Sequence, residues 1–245
     1  MAVDGFRSIL FKLINAAYCL SMIYRNKFLW LWVPVIWLFM QALMEILLPA
    51  QTVLAIHAEG FIHELLQFGM LCAVFIIAVL LIKRLAGTGR RLESFWAGLM
   101  ALGAFYVAIE EVSWGQSFFQ WTTPAYWQEI NNQSETNFHN TSRWLNQIPR
   151  YILMVGIAVG GFIIPLIQFL NSSLLPKIFT NLYTDYRFTV TATCLLIVAL
   201  GHKLSKSFFD TKLFERASEV EEIFMYFFIL LYALMLKDRF MKKTA

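Results

Sequence analysis

Charge is what this sequence has least of. Asp, Glu, Lys and Arg make up 15% of its 245 residues, against about 25% in an average soluble domain. Cysteine is nearly absent too. Cys19, Cys72 and Cys194 are scattered through apolar stretches with no CxxC or paired spacing, and they read as small core hydrophobes. Also missing are H-E-x-x-H, G-x-S-x-G, a Walker loop and a GxGxxG turn. The common zinc-protease, serine-hydrolase and nucleotide-binding arrangements therefore have no foothold. What fills the chain is apolar: 59% of residues are hydrophobic and 16% aromatic, with 23 Phe and 8 Trp, and the mean hydropathy is +0.60. That aromatic content excludes disorder, and one soluble domain could not hide so much apolar surface. The composition is that of a polytopic membrane protein.

A helix crossing the hydrocarbon core takes about 20 mostly apolar residues. Six windows approach that length: residues 28–48, 61–82, 95–112, 151–170, 188–200 and 223–236. The fifth and sixth are short. The fifth can lengthen backwards through Tyr183 to Tyr186, and the sixth through Val220, Glu221 and Glu222. The runs are apolar on all sides, unlike the alternating strands of a barrel. The expected fold is all-α: a bundle of about six transmembrane helices forming one membrane-embedded domain over residues 28–245. Residues 1–27 differ. Ile9, Leu10, Leu13, Ile14, Ala17, Leu20 and Tyr24 make an apolar stripe, with Arg7, Lys12 and Asn15 off it. This predicts an amphipathic helix lying on the cytoplasmic face, since a span would drag Lys12 into hydrocarbon. With its apolar stretch interrupted and no A-x-A-like site following, the segment does not read as a cleaved signal peptide.

Fourteen of the twenty Lys and Arg fall on the side of the two chain ends and of the connections after the second and fourth windows. The positive-inside rule then puts both termini in the cytoplasm, and the expected location is a bacterial inner membrane. The net charge of +4 becomes an inner-face surplus suited to anionic lipid, with no nucleic-acid patch. The carboxylates run the other way. Twelve of sixteen Asp and Glu lie at or near the outer face, as do His57, His63, His139 and His202. Orientation does not demand this, because Asp and Glu barely influence it. The outer end therefore holds nearly every group able to donate, accept or ligate.

The third window is the most informative. Ala97, Ala101, Ala104, Ala108, Glu111 and Gly115 recur at spacings of four and three, a narrow small-residue face that lets a neighbouring backbone approach and carries Glu111 into protein. Glu110 lies about 100° round the helix, with Tyr106, Ser113 and Ser117 on its face. Two adjacent carboxylates beside an apolar slab suit acid–base work or cation binding. An ordered extracytoplasmic loop, 118–149, follows, with aromatics at 121, 126, 127 and 144. If 131–140 is helical, Asn131, Glu135 and His139 share a face, where a carboxylate can orient an imidazole or share a metal with it. Gln41 and Glu45, then His63, Glu64 and Gln67, then Glu215, Glu219, Glu222 and Tyr226, reach the same depth from other helices. Gly156 and Gly160 read as a packing pair, with Pro165 a kink.

The stretch Glu110-Glu111-Val112-Ser113-Trp114-Gly115-Gln116, with 131–140 after it, resembles a signature of bacterial polytopic membrane proteins. The resemblance implies the membrane architecture and no particular reaction. The chain departs from ceramidase-like membrane hydrolases, having no H-x-x-x-H pair near its last span.

The leading expectation is an enzyme, a hydrolase or group transferase, acting on a lipid or lipid-linked substrate at the outer face. Its catalytic candidates are Glu110, Glu111, Glu135 and His139. Ser113, Trp114, Gln116, Asn131 and Asn140 are candidates for binding substrate, and Arg143, Arg150 or Lys203 for gripping a phosphate headgroup. A divalent metal, zinc or manganese, would draw on Glu111, Glu135, His139 and His202. The alternative is a non-catalytic subunit of an envelope-polymer or secretion assembly, docking a membrane-protein partner through the aromatic loop. An ion- or proton-coupled carrier ranks lower, because the inner halves of the spans carry few ionisable residues.

Overall fold

The computed structural model describes residues 24–58, 61–131, 135–208, 214 and 217–241. The amphipathic helix expected over residues 1–27 lies almost wholly outside the described residues. Within them all regular structure is helical. A π turn, Phe28–Trp32, runs without a break into α1 (Val33–Leu47), and Pro34, which has no N–H to give the preceding turn, sits at their junction. Pro49 separates α1 from the short α2 (Ala50–Ala58). Then come the long antiparallel pair α3 (Phe61–Leu85) and α4 (Arg91–Glu111). Their tight connection uses Gly87 and Gly89 at φ of 75° and 76°, a conformation that a Cβ disfavours. Two short helices, α5 (Gln116–Phe119) and α6 (Ala125–Ile130), build the loop at the far end of α4. The chain returns through α7 (Arg143–Ala158), a π turn at Val159–Ile163, and α8 (Ile164–Asn171). It ends with α9 (Phe188–Phe208) and α10 (Ala217–Met241).

Among the described residues, five stretches are long and apolar enough to cross a membrane: Phe28–Leu47, His63–Leu85, Arg91–Glu111, Gln147–Leu174 and Phe188–Ser205. The sixth expected span became α10, which differs in kind. It is the hub of the bundle, packed on α3, α9 and α7. Val220, Phe224, Met225, Leu231, Ala233, Met235 and Leu236 are almost wholly enclosed along it. Its charge-free core, residues 223–236, is bounded by Glu221 and Glu222 at one end and Lys237 to Arg239 at the other. The fifth span lengthens forwards to Phe208 rather than backwards. Residues 183–186 are not helical, because their polar groups are engaged elsewhere. The Tyr183 carbonyl accepts from Arg239, and the Thr184 hydroxyl donates to the Gly160 carbonyl.

The small-residue face of α4 packs as its spacing predicts. Ala97, Ala101, Ala104 and Ala108 are buried, and α3·α4 is the most extensive helix pair. Gly160 and Gly161 are also packing residues, but Gly156 is not. A Cβ at Gly156 would meet nothing within 4 Å, whereas one at Gly161 would lie 2.3 Å from the Ala192 Cβ on α9. Thr189 of α9 donates to the Gly161 carbonyl at 2.7 Å, satisfying a backbone group at the π turn where the regular ladder is interrupted. Gly161→Ala is therefore expected to destabilise the protein by about 1–3 kcal/mol through overpacking. It should show as a lower thermal midpoint of the detergent-solubilised protein. An unchanged midpoint would mean that α9 does not approach this closely.

The segments expected to share the basic face do meet at one end of the bundle. Tyr24 donates to Asp185, and the Arg187 guanidinium lies 4.9 Å over the Tyr24 ring. Arg25 pairs with Asp238 at 3.1 Å, Asn181 donates to Glu93, and Arg90 covers Phe240. Burial pushes the Tyr24 hydroxyl above the ordinary phenol range, and the Asp185 carboxylate it donates to adds to that. The protein thus has a basic-rich end closed by cross-links and an acid-rich end carrying the loop.

Candidate functional site

At the acid-rich end, α4 stops at Glu111, and the chain turns through three successive left-handed residues: Ser113 (φ 47°), Trp114 (φ 59°) and Gly115 (φ 99°). For Ser and Trp this conformation costs roughly 1–2 kcal/mol each, so the surroundings must hold it. They do. Glu110, only 3% exposed, accepts the Trp114 indole N–H at 2.7 Å on one oxygen and the Phe138 backbone N–H at 2.8 Å on the other. The Ser113 hydroxyl donates to Glu135 at 3.0 Å and accepts from Asn137 at 3.0 Å. Ser113 and Gly115 therefore leave the helical faces on which their spacing had placed them. Glu110, rather than Glu111, is the acid carried deepest into protein.

The loop closes on this turn through its amides. Asn137 is fully buried and is the hub: it donates to Ser113 and Glu135 and receives the Asn131 amide. Asn140 also donates to Glu135, at 3.4 Å. Gln116 donates to the Trp121 carbonyl and the Thr123 hydroxyl and accepts the Thr136 N–H. Phe138 packs edge-on against Trp127 and Trp114. The one-faced helix posed for Asn131, Glu135 and His139 is not there. Asn131 is extended and 135–138 is irregular, because the Asn131 side chain takes the Glu135 N–H that its own carbonyl would accept in a helix. His139 and Asn140 sit in a 3₁₀ turn. The His139 and Arg143 side chains lie outside the described residues.

Glu111 belongs to a second group. Its carboxylate accepts the Tyr226 hydroxyl of α10 at 2.6 Å. One helical turn earlier on α10, Glu222 bonds Arg150 of α7 at 3.3 Å, and Glu221 bonds the same guanidinium, which also reaches the Ser218 carbonyl. Glu222 stands within electrostatic reach of Glu111, Glu219, Glu221 and Arg150. Glu64 of α3 lies within electrostatic reach of Glu135 and Glu219. His202 is half-buried on α9, which packs on α1, α10 and the π turn. His63 is buried with its ring edge-on to Trp37 of α1, and Lys203 is exposed on α9. Among the described residues no three His, Cys, Asp or Glu side chains gather as a metal-holding group.

Below Glu111 lies a cavity of about 660 Å³, within the range of small-molecule sites. One wall is α4, through Trp96, Met100, Gly103, Ala104 and Val107. The facing wall is α7 and α8, from Pro149 to Ile164. Tyr226, Phe228, Ile229 and Tyr232 of α10 form the back. Along α4 the lining runs from residue 96 to 107, roughly 16 Å at 1.5 Å per residue, or about half the hydrocarbon thickness of a bilayer. Sequence reasoning missed this hollow, and it missed Asn137. It placed Tyr226 on the acid face of α10 without giving it a role. A glycine that lines a void and a glycine that permits contact look alike in a sequence, and Gly103 and Gly156 both face open space here. No family model matches the chain, no curated protein matches it, and no solved structure matches it.

Proposed function

We propose that the protein is an integral membrane enzyme, a hydrolase or group transferase, whose substrate is a lipid or lipid-linked molecule. The observation that carries this reading is an apolar cavity of chain-like length with Tyr226 in its lining, whose hydroxyl donates to the Glu111 carboxylate just beyond it. Hydrocarbon would occupy the hollow between α4 and α7–α8, bringing the polar end of the lipid to the acids. There Glu111 and Tyr226, joined by a hydrogen bond, move a proton to or from the reacting group. Arg150 holds Glu221 and Glu222 beside them. In this reading α10 is a sixth span, the termini are cytoplasmic, and the acid-rich end faces outwards, as the Lys and Arg distribution supports. Glu110, Ser113, Gln116 and the asparagines hold the loop that roofs the site, and Glu135 is held among them.

Gly156→Leu tests the seat itself, since its side chain would enter open space. Lipid co-purifying with the wild-type protein should fall several-fold in the variant, measured by mass spectrometry at matched thermal stability. Equal lipid in both would remove the cavity from the account.

A second reading, a non-catalytic subunit of a membrane assembly, is favoured by one observation. The loop's polar residues bond one another, and this end presents Phe119 and Tyr126 of the loop and Trp144 at the start of α7 exposed. A stoichiometric partner cross-linked to these aromatics in mild detergent would support it.

A further inference from the structure

On the lipid-substrate reading above, the route by which hydrocarbon reaches the hollow follows from how its walls are joined. α4 packs on α3, while α7 packs on α10 and on the π turn that follows it. Among the described residues there is no extensive contact between α4 and either α7 or α8, so the two walls stand apart. Ile152 of α7 lines the hollow and is nevertheless 68% exposed. Beside the lining glycines Gly103 and Gly156, Leu102 and Val155 are exposed too. The hollow is therefore open along its side, at a depth where a membrane-spanning bundle meets hydrocarbon. Its walls hold nothing for a charged or polar ligand. No Asp, Glu, Lys, Arg or His among the described residues lines it. The hydroxyls of Tyr183, Thr184 and Tyr232 donate to the Pro176, Gly160 and Leu182 carbonyls, and that of Tyr226 to Glu111. Each has thus spent its one proton inside the protein. The Trp96 indole is a hydrogen-bond partner of Tyr232. Water finds few partners in such a space, and leaving it empty forfeits the dispersion contacts of its lining.

We infer that the hollow is a slot open to the bilayer along its side, which takes one chain of a two-chain membrane lipid while the second chain and the headgroup stay outside it. A closed tunnel would be entered end-on and would admit single-chain molecules only. The gap between α4 and α7 removes that restriction. The slot holds its ligand by packing along the chain, since packing is all that its walls offer.

The test uses phosphatidylcholine with a photoactivatable diazirine near the end of one chain, and lysophosphatidylcholine carrying the same chain. The full protein is placed in nanodiscs containing one probe or the other and irradiated, and the labelled residues are mapped by peptide mass spectrometry. Lipid around the bundle reaches the exposed Leu102 and Val155, whereas a chain inside the slot reaches Leu71 and Ile157, which line the hollow and are buried. Phosphatidylcholine should label Leu71 and Ile157 about as well as lysophosphatidylcholine does. The ratio of inside to outside labelling should fall several-fold in Gly103→Leu and in Gly156→Leu. Both added side chains enter space where a Cβ meets nothing within 4 Å, and thermal unfolding verifies that each variant is folded. If neither folds, the wild-type comparison of the two probes still decides. Inside labelling by phosphatidylcholine supports the slot. Inside labelling by lysophosphatidylcholine alone overturns the side opening and leaves the lipid seat standing. Inside labelling that folded glycine variants leave unchanged, or none by either probe, overturns the seat and the lipid-substrate reading with it.

Discussion

Glu111→Gln is expected to slow lipid conversion about a hundredfold or more, the usual scale for removing a general acid or base. The substitution is nearly isosteric, and its amide oxygen can still accept the Tyr226 hydroxyl that bonds Glu111 at 2.6 Å. It removes the ability to carry a proton without emptying the site. The measurement is untargeted mass spectrometry of proteoliposomes made from a mixed lipid extract. Some species should be consumed and others should appear with the wild-type protein, at rates that collapse in the variant. Tyr226→Phe should reduce the same rates, since it deletes the hydroxyl and keeps the ring that lines the cavity. Equal conversion in the wild type and Glu111→Gln would take proton transfer away from this pair. It would favour the non-catalytic reading.

Glu110→Ala should act differently, on the roof rather than the chemistry. Glu110 is buried and accepts two hydrogen bonds, from the Trp114 indole and the Phe138 backbone. Bonds to a charged acceptor contribute about 1.5–3 kcal/mol each, so losing both should cost about 3 kcal/mol or more. The strained Ser113–Gly115 turn makes the effect cooperative. Without Glu110 the indole no longer anchors Trp114 in a conformation that the residue disfavours. Hydrogen exchange should accelerate at the Phe138 amide and spread to Thr141, whose N–H bonds the Phe138 carbonyl, while the α3–α4 pair stays protected. Unchanged exchange at Phe138 would mean that the loop is held by its aromatic contacts and not by this carboxylate.

Much of the bundle was legible because hydrophobic length and small-residue spacing are local signals. The alanine row of α4 specifies its buried face, and the acids preceding residue 223 start α10 where the charge pattern suggested. The clustering of acids at one end was legible too. The end of α4 was not. Nothing in Glu-Glu-Val-Ser-Trp marks a stop before Gly115, and the left-handed turn exists only because Glu135, Asn137 and Phe138 return to hold it. The same long-range capture explains the failed helix at 131–140, where asparagine side chains compete with the backbone ladder. It also explains why α9 grows forwards: Tyr183, Thr184 and Asp185 are tied to Arg239, Gly160 and Tyr24. The site divided for a related reason. Glu110 and Glu111 are neighbours in sequence, yet a helix rotates one towards the loop and the other towards α10.

The central claim is that hydrocarbon lies in the hollow between α4 and α7–α8 with its polar end at Glu111. A density map of the protein in lipid nanodiscs tests this most directly. The account predicts one elongated feature, not part of the polypeptide, running from beside Trp96 to the Tyr226 hydroxyl. A map in which α4 and α7 close against each other, or in which protein side chains fill the space, would contradict it.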